Sequence, residues 1–242
     1  MRSSGVETVG VASELDSRSE LPGLVRAYLS RVVPSGGSVP RRVRITQAGE
    51  MRQKPGGRPL RFTAVEEFAV DEVAFTWRAR FPILPLISIR VVDGYAAGEG
   101  KLQARLLGVP FMRSTGPETT EGEAIRYLSE LPWVPHAMLA NRRLEWREVD
   151  PRSVEVSTQA GPARVACLLH FDAVGDIMGA SAEGRPRIEG NRIVRRPWTG
   201  VFARSAVVGG VRLPTRGEVR WELPDGPFTY WRGTITSLEL GS

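Results

Sequence analysis

The chain has 242 residues, 41 % of them hydrophobic, and a formal charge of +6 at pH 7. That length bounds it at one large domain or two small ones, and the apolar share fills a substantial core, which excludes a wholly disordered chain. The basic excess is nearly all arginine, Lys54 and Lys101 being the only lysines; the arginines are scattered among apolar residues, so they read as solvated strand faces and turns, and nucleic acid is a disfavoured partner.

Residues 1–18 read as a flexible polar lead, and residues 19–242 as one β-rich domain. The first twenty residues lack the apolar stretch of a signal peptide, and no segment reaches transmembrane length, so a soluble, cytoplasmic chain is expected. A chain trimmed of an anchor would read the same. A helix is predicted over about residues 20–33, with Leu21, Val25, Tyr28 and Val32 on one face, Ser19 as N-cap and Pro22 in the first turn. "PSGGSVP" at 34–40 ends it.

From there to residue 118 the pattern has period two. Val43, Ile45 and Met51 share one face against Arg44, Thr46 and Glu50; Phe75, Trp77, Ala79 and Phe81 oppose Thr76, Arg78 and Arg80. Clean alternation means one buried and one wet face, the antiparallel habit. Thr120 and Glu123 then have capping-box spacing, opening a second helix over about 119–131, with Ala124, Leu128 and Leu131 on one stripe. Pro132 and Pro135 bend its continuation through Trp133, His136, Met138 and Leu139. Strand code returns afterwards. Asp150-Pro151, Gly209-Gly210 and Asp225-Gly226 mark turns, and "ARVACLLHF" is apolar on both faces, as in a central strand. The expected fold is mainly β (α+β): a large curved antiparallel sheet, or half-open β-barrel, covered by about two helices.

Motifs for chemistry are sparse. There is no glycine-rich phosphate loop and no GxSxG, and two histidines are too few for a zinc site, so neither cofactor nor metal is expected. Cys167 has no second cysteine to pair with and sits in a strand pattern, which makes it an inert core thiol. His170 and Asp172 share a strand face and form the weak catalytic candidate; equally, they mark where the strand meets solvent. Glu66, Glu67, Glu218 and Glu222 are carboxylates that an apolar cover would render basic. If the bent segment roofs a hollow, its walls are Trp77, Phe81, Trp133, Met138, Trp198 and Trp221, with Arg78 for an anionic head group and Tyr230 or Arg232 for a polar one. If it does not, the aromatic residues are plain core.

The stretches "GEMRQKPGGRPLRFTAVEEFAV", "FTWRARF", "DGYAAGEGKLQARLLG", "GEAIRYLSELPWVPHAML", "LEWREVD", "HFDAVGDI", "RPWTG" and "EVRWELPDGPFTYWRG" run in order from about residue 40 to the end. In them the chain resembles a family of mostly bacterial proteins catalogued as a domain of unknown function, which transfers no activity and no catalytic residue. The element order is also similar to that of the LolA/LppX-like lipoprotein carriers, half-open barrels with a helical lid over a hydrophobic cavity, an analogy of architecture alone. Three functions stay open. The first is binding or carrying an apolar or amphiphilic small molecule beneath the lid. The second is an enzyme (cyclase, isomerase or hydrolase) using that cavity with Asp, Glu or His as acid and base. The third is a structural interaction module.

Overall fold

The computed structural model describes residues 20–242 apart from 35, 37 and 191. The lead at residues 1–18 and the cap assigned to Ser19 lie outside the described residues. Period-two alternation is realised in thirteen strands: β1 (Arg42–Met51), β2 (Leu60–Ala69), β3 (Phe75–Leu84), β4 (Ile87–Ala96), β5 (Glu99–Leu106), β6 (Val109–Ser114), β7 (Glu145–Asp150), β8 (Ser153–Ala160), β9 (Ala163–Phe171), β10 (Ile177–Glu189), β11 (Arg192–Val208), β12 (Val211–Leu223) and β13 (Gly226–Gly241). They form one antiparallel sheet in the order β6-β5-β4-β3-β2-β1-β13-β12-β11-β10-β9-β8-β7. The fold is the curled, helix-covered half-barrel expected from the sequence.

This order makes a helical cover unavoidable. The chain starts at the centre of the sheet, meanders out to the β6 edge, and must resume at β7 on the opposite edge. The linking segment therefore has to cross the concave face. It does so as α2 (Pro117–Glu130), a 3-10 turn (Leu131–Trp133) and α3 (Pro135–Ala140), the two prolines breaking the helix where the sequence placed the bend. One end of α2 is pinned by Thr120, whose hydroxyl accepts the Gly100 N–H of β5 at 3.1 Å. The predicted capping box is thus corrected: α2 begins at Pro117 behind Gly116, and the Thr120 side chain is spent on the sheet instead of the helix end.

α1 (Gly23–Val32), which precedes β1, packs against β12 and reaches the β7–β9 end. Its buried residues include Val25, Tyr28 and Val32, as the spacing predicts; Tyr28 meets Phe171 of β9 edge-on at 6.3 Å, and Glu148 of β7 accepts the Gly23 N–H at 2.9 Å. β9 is not central. It lies third from the β7 edge, and its second face, with Leu168 and His170, is only half-buried. No helix among the described residues is long and apolar enough to cross a membrane.

The tightest part of the concave face is built from glycine. Gly49, Gly233 and Gly217 stand side by side on β1, β13 and β12, flanked in the same row by Phe62 on β2 and Phe202 on β11. A methyl at Gly49 would collide with the backbone carbonyl of Arg232 and reach within 2.9 Å of the Phe62 ring. Gly49→Ala should therefore lower the urea midpoint by the equivalent of ~1–3 kcal/mol or more, the usual cost of overpacking. An unchanged midpoint would mean that the strands part there without strain.

Candidate functional site

Alternation brings Ile45, Glu66, Trp77, Asp93 and Leu102 into one row across β1–β5, so two carboxylates flank an indole on the buried face. Above this row α2 presents Glu123, Arg126 and Glu130, spaced i, i+3 and i+7 on one stripe. The Arg126 guanidinium lies 5.2 Å from the Trp77 ring centre and 4.9 Å from that of Phe75. It donates to Glu66 at 2.8 Å, to Asp93 at 2.7 Å and to Glu130 at 2.9 Å. Glu66 also accepts from Gln47 at 2.8 Å, and the Gln47 oxygen accepts the Trp77 indole N–H at 2.9 Å.

One cation faces four carboxyl groups here, so some of them must hold protons. Burial, and then the neighbouring Glu130, push Glu66 well above the usual carboxylate range despite Arg126; burial, and then Asp93, do the same to Glu123. Burial opposes the charge on Arg126, but Glu130, Glu66, Asp93 and Glu123 together outweigh it and keep the guanidinium protonated. One buried oxygen each of Asp93, Glu123 and Glu130 has no hydrogen-bond partner among the described residues.

Beside this cluster, between sheet and cover, lies a cavity of about 290 Å³, at the small end of the ~300–1,000 Å³ usual for ligand sites. Trp77, Phe81, Trp133, Phe202, Trp231 and Val219 give it apolar walls; Phe111 and Met112 of edge strand β6, largely exposed, also border it. Trp133 reaches it from the 3-10 turn. Its indole N–H donates to the Pro214 carbonyl at 3.0 Å, and its ring lies against Phe202 and Trp231 at 5.6 and 5.9 Å. Gly217 makes this seat possible, since a Cβ there would stand 3.0 Å from the Trp133 ring.

A second polar group lines the cavity on the strand side, its Arg185 Nε lying near Gly122 of α2. Two bulges create it. On β10 an extra residue falls between Ala182 and Arg185, and on β13 another falls opposite Val219 and Arg220. Each bulge shifts the inward parity by one, which turns Arg185 and Tyr230 toward the hollow. Arg185 is 8 % exposed, stacked 4.9 Å from Trp198 and 5.6 Å from Trp221. Tyr230 accepts from Arg185 at 3.2 Å and from the Trp198 indole N–H at 3.0 Å.

Of the residues picked from the sequence, Trp77, Phe81, Trp133, Trp198 and Tyr230 all line this cavity. Trp221 stands one layer back, stacked on Tyr230 at 5.9 Å, and Met138 is sealed in the core by α3. Arg78 is on the opposite face of the sheet, ion-paired with Glu67 at 2.8 Å, because inward parity on β3 belongs to Trp77 and Ala79. It borders a broader, open and charged hollow with Arg80, Arg90 and Lys101. Arg232 pairs with Glu218 at 3.2 Å. His170 also occupies the outer face, between Ser181 at 2.8 Å and Ser153 at 3.3 Å, while Asp172 accepts the Val174 and Asp176 N–H groups in the β9–β10 turn. The structure thus brings neither His170 nor Asp172 to the cavity. Burial pushes the Cys167 thiol up to about 12, as befits an inert core position. Arg126, Asp93, Glu130 and Arg185 were not singled out from the sequence. The first three were accessible through parity and helix spacing; Arg185 was concealed by its bulge.

A thirteen-stranded half-barrel rolled around a helical cover, with an aromatic hollow between, defines the class of protein. Solved structures are similar to it over most of their length. A DUF1329 family protein from Desulfovibrio piger is 11 % identical with a TM-score of 0.51, over 96 % of this chain and 93 % of its own. A LolA superfamily protein from Nitrosomonas europaea is 10 % identical (TM-score 0.47, 90 % and 92 %), and a domain from Vibrio parahaemolyticus, described provisionally as an outer membrane lipoprotein-sorting protein, is 6 % identical (0.44, 96 % and 92 %). The chain itself belongs to a family of unknown function, DUF6544, which matches residues 10–233. No curated protein matches it by sequence. The cytoplasmic location expected from the sequence is corrected: it rested on reading no leader in the first twenty residues, and neither that nor the lack of a membrane-crossing helix among the described residues places the protein in the cytoplasm.

Proposed function

We propose that the protein binds, and carries, an apolar or amphiphilic small molecule in the cavity between the concave sheet and the α2–α3 cover. The observation behind this is the roughly 290 Å³ hollow walled by Trp77, Phe81, Trp133, Phe202 and Trp231. Aromatic walls of this kind favour apolar surface over water, and polar groups at the margin suit a head group. Native mass spectrometry of the purified protein and titration with a neutral lipophilic dye test it, with Gly200→Leu as the blocking variant. Gly200 lines the cavity, and a Cβ there meets nothing closer than the Trp198 ring at 3.7 Å, so the added side chain is accommodated in the hollow. Dye affinity should fall about ten- to a hundredfold, as a ligand must now displace or overpack that side chain. Wild-type protein that takes up no dye, or a variant that binds it equally well, would defeat the reading.

One observation favours a second reading, acid–base chemistry in the same cavity. Asp93 lines the hollow and neighbours Glu123, a carboxyl that burial pushes well above the ordinary carboxylate range. It requires a bound molecule to emerge chemically changed in the same native spectra. Recovery of every bound species unaltered would end it.

A further inference from the structure

Arg185 has the surroundings of a receptor whose ligand comes from outside the protein. It is nine-tenths buried and lines the cavity, yet it makes no ion pair among the described residues, and its Nε–H is buried with no acceptor. A buried guanidinium is expensive unless hydrogen-bonded and paired; here it has only the two indole faces of Trp198 and Trp221 and one hydrogen bond to a phenol. Every other arginine lining the hollow is accounted for: Arg126 is held by three carboxylates. The nearby carboxyl is Glu123, whose raised pKa Arg185 tempers from a distance, and no hydrogen bond joins the two.

Tyr230 adds a second donor. A phenol oxygen can accept two hydrogen bonds and donate one. Both acceptor positions are taken, by the Arg185 Nη1–H and the Trp198 Nε1–H. The Tyr230 proton is left to be donated, and no acceptor stands within reach among the described residues, while the side chain lines the cavity. Two donors with unspent protons therefore border one hollow, each turned inward by its own bulge. Acceptor oxygens carrying negative charge are what such a pair lacks.

We infer that the ligand is an amphiphile with an anionic oxyacid head, carboxylate or phosphate, received by Arg185 and Tyr230 while its apolar part lies among Trp77, Trp133 and Trp231. This rests on the reading of the cavity as an apolar-ligand site and names the head group that it selects.

The test is displacement of the neutral dye at neutral pH by four probes that share a ten-carbon chain: decanoate, decyl phosphate, decan-1-ol and decyltrimethylammonium. Wild-type protein should bind at least one of the two anions about tenfold or more tightly than the alcohol, the scale of charge-assisted hydrogen bonds. The cation should bind worst. That anion-to-alcohol ratio should collapse to about one in Arg185→Met and fall about threefold in Tyr230→Phe, which keeps the guanidinium. Which anion leads separates a fatty-acid-like from a phospholipid-like source. A wild-type ratio near one, preference for the cation, or a ratio unmoved by Tyr230→Phe overturns the assignment, and the last decides even if Arg185→Met fails to fold. A wild-type protein that ignores the dye itself points elsewhere, to failure of the cavity reading.

Discussion

Replacing Arg126 by methionine should remove about 3–5 kcal/mol of stability at neutral pH, the usual cost of deleting one partner of a buried ion pair. Against a total of ~5–15 kcal/mol for a folded domain, that is a large share. The cost arises from what stays behind. Glu66 is fully buried and Asp93 nearly so, and without the guanidinium between them neither carboxylate has a cation within reach. Glu66, already raised by burial, then loses the cation that opposes the shift, and that gives the variant a pH signature. In the wild type, Glu66 and Glu123 already have native-state pKa values raised above the ordinary 4.5. The native state thus holds more protons than the unfolded chain from about pH 4.5 upward, and their contribution is full below that point and is lost as pH rises through the raised values. The slope is at most ~1.4 kcal/mol per pH unit for each retained proton. Methionine at 126 raises the same groups further, so the deficit should be larger at pH 8 than at pH 5. Urea unfolding at both values measures it. An equal deficit at both would show that the carboxylates do not titrate with folding, and Glu66→Gln in the wild-type background should flatten the slope.

This cluster also shows how far the sequence could be read. The sequence offered Glu66 and Glu67 alike; counting along β2 puts Glu66 on the buried face with Phe62, Ala64 and Phe68 and Glu67 on the other, and the same counting puts Gln47 and Asp93 on the buried face. What parity cannot supply is the partner. Arg126 belongs to an element that meets β2 and β4 only because the chain must return across the sheet, and that is a property of strand order, not of local pattern. The walls Trp77, Phe81, Trp133 and Trp198 were legible because each sits in an unbroken alternation or at a proline bend. Arg185 was not, because "AEGRPRI" hides its extra residue at Glu183-Gly184, and counting from Ala180 assigns the inward place to Gly184. Arg78 failed as a head-group ligand for the converse reason: its strand is regular from Phe75 to Phe81, and regularity faces it outward.

Trp133→Ala should cost about 3–5 kcal/mol and change what the cavity accepts, and the second effect separates a roof from a plug. The stability term follows from deleting a buried indole packed on Phe202 and Trp231; the Pro214 carbonyl loses its donor as well, worth about a further 1 kcal/mol. If the indole merely fills the core, the loss appears in the thermal midpoint and the dye affinity stays as it was. If it is the ceiling of a ligand site, the hollow deepens toward Gly217, and the probe of best fit should shift to a longer chain in a series of alkanoates. Trp133→Phe discriminates further: it preserves a ring over Gly217 while removing the indole N–H, so it should lose only ~1 kcal/mol and keep the wild-type chain-length preference. A Trp133→Ala protein with lowered stability but an unaltered preference would place the ligand away from the 3-10 turn. That result would leave Arg185 and Tyr230 facing a hollow whose apolar part is floored by the sheet alone.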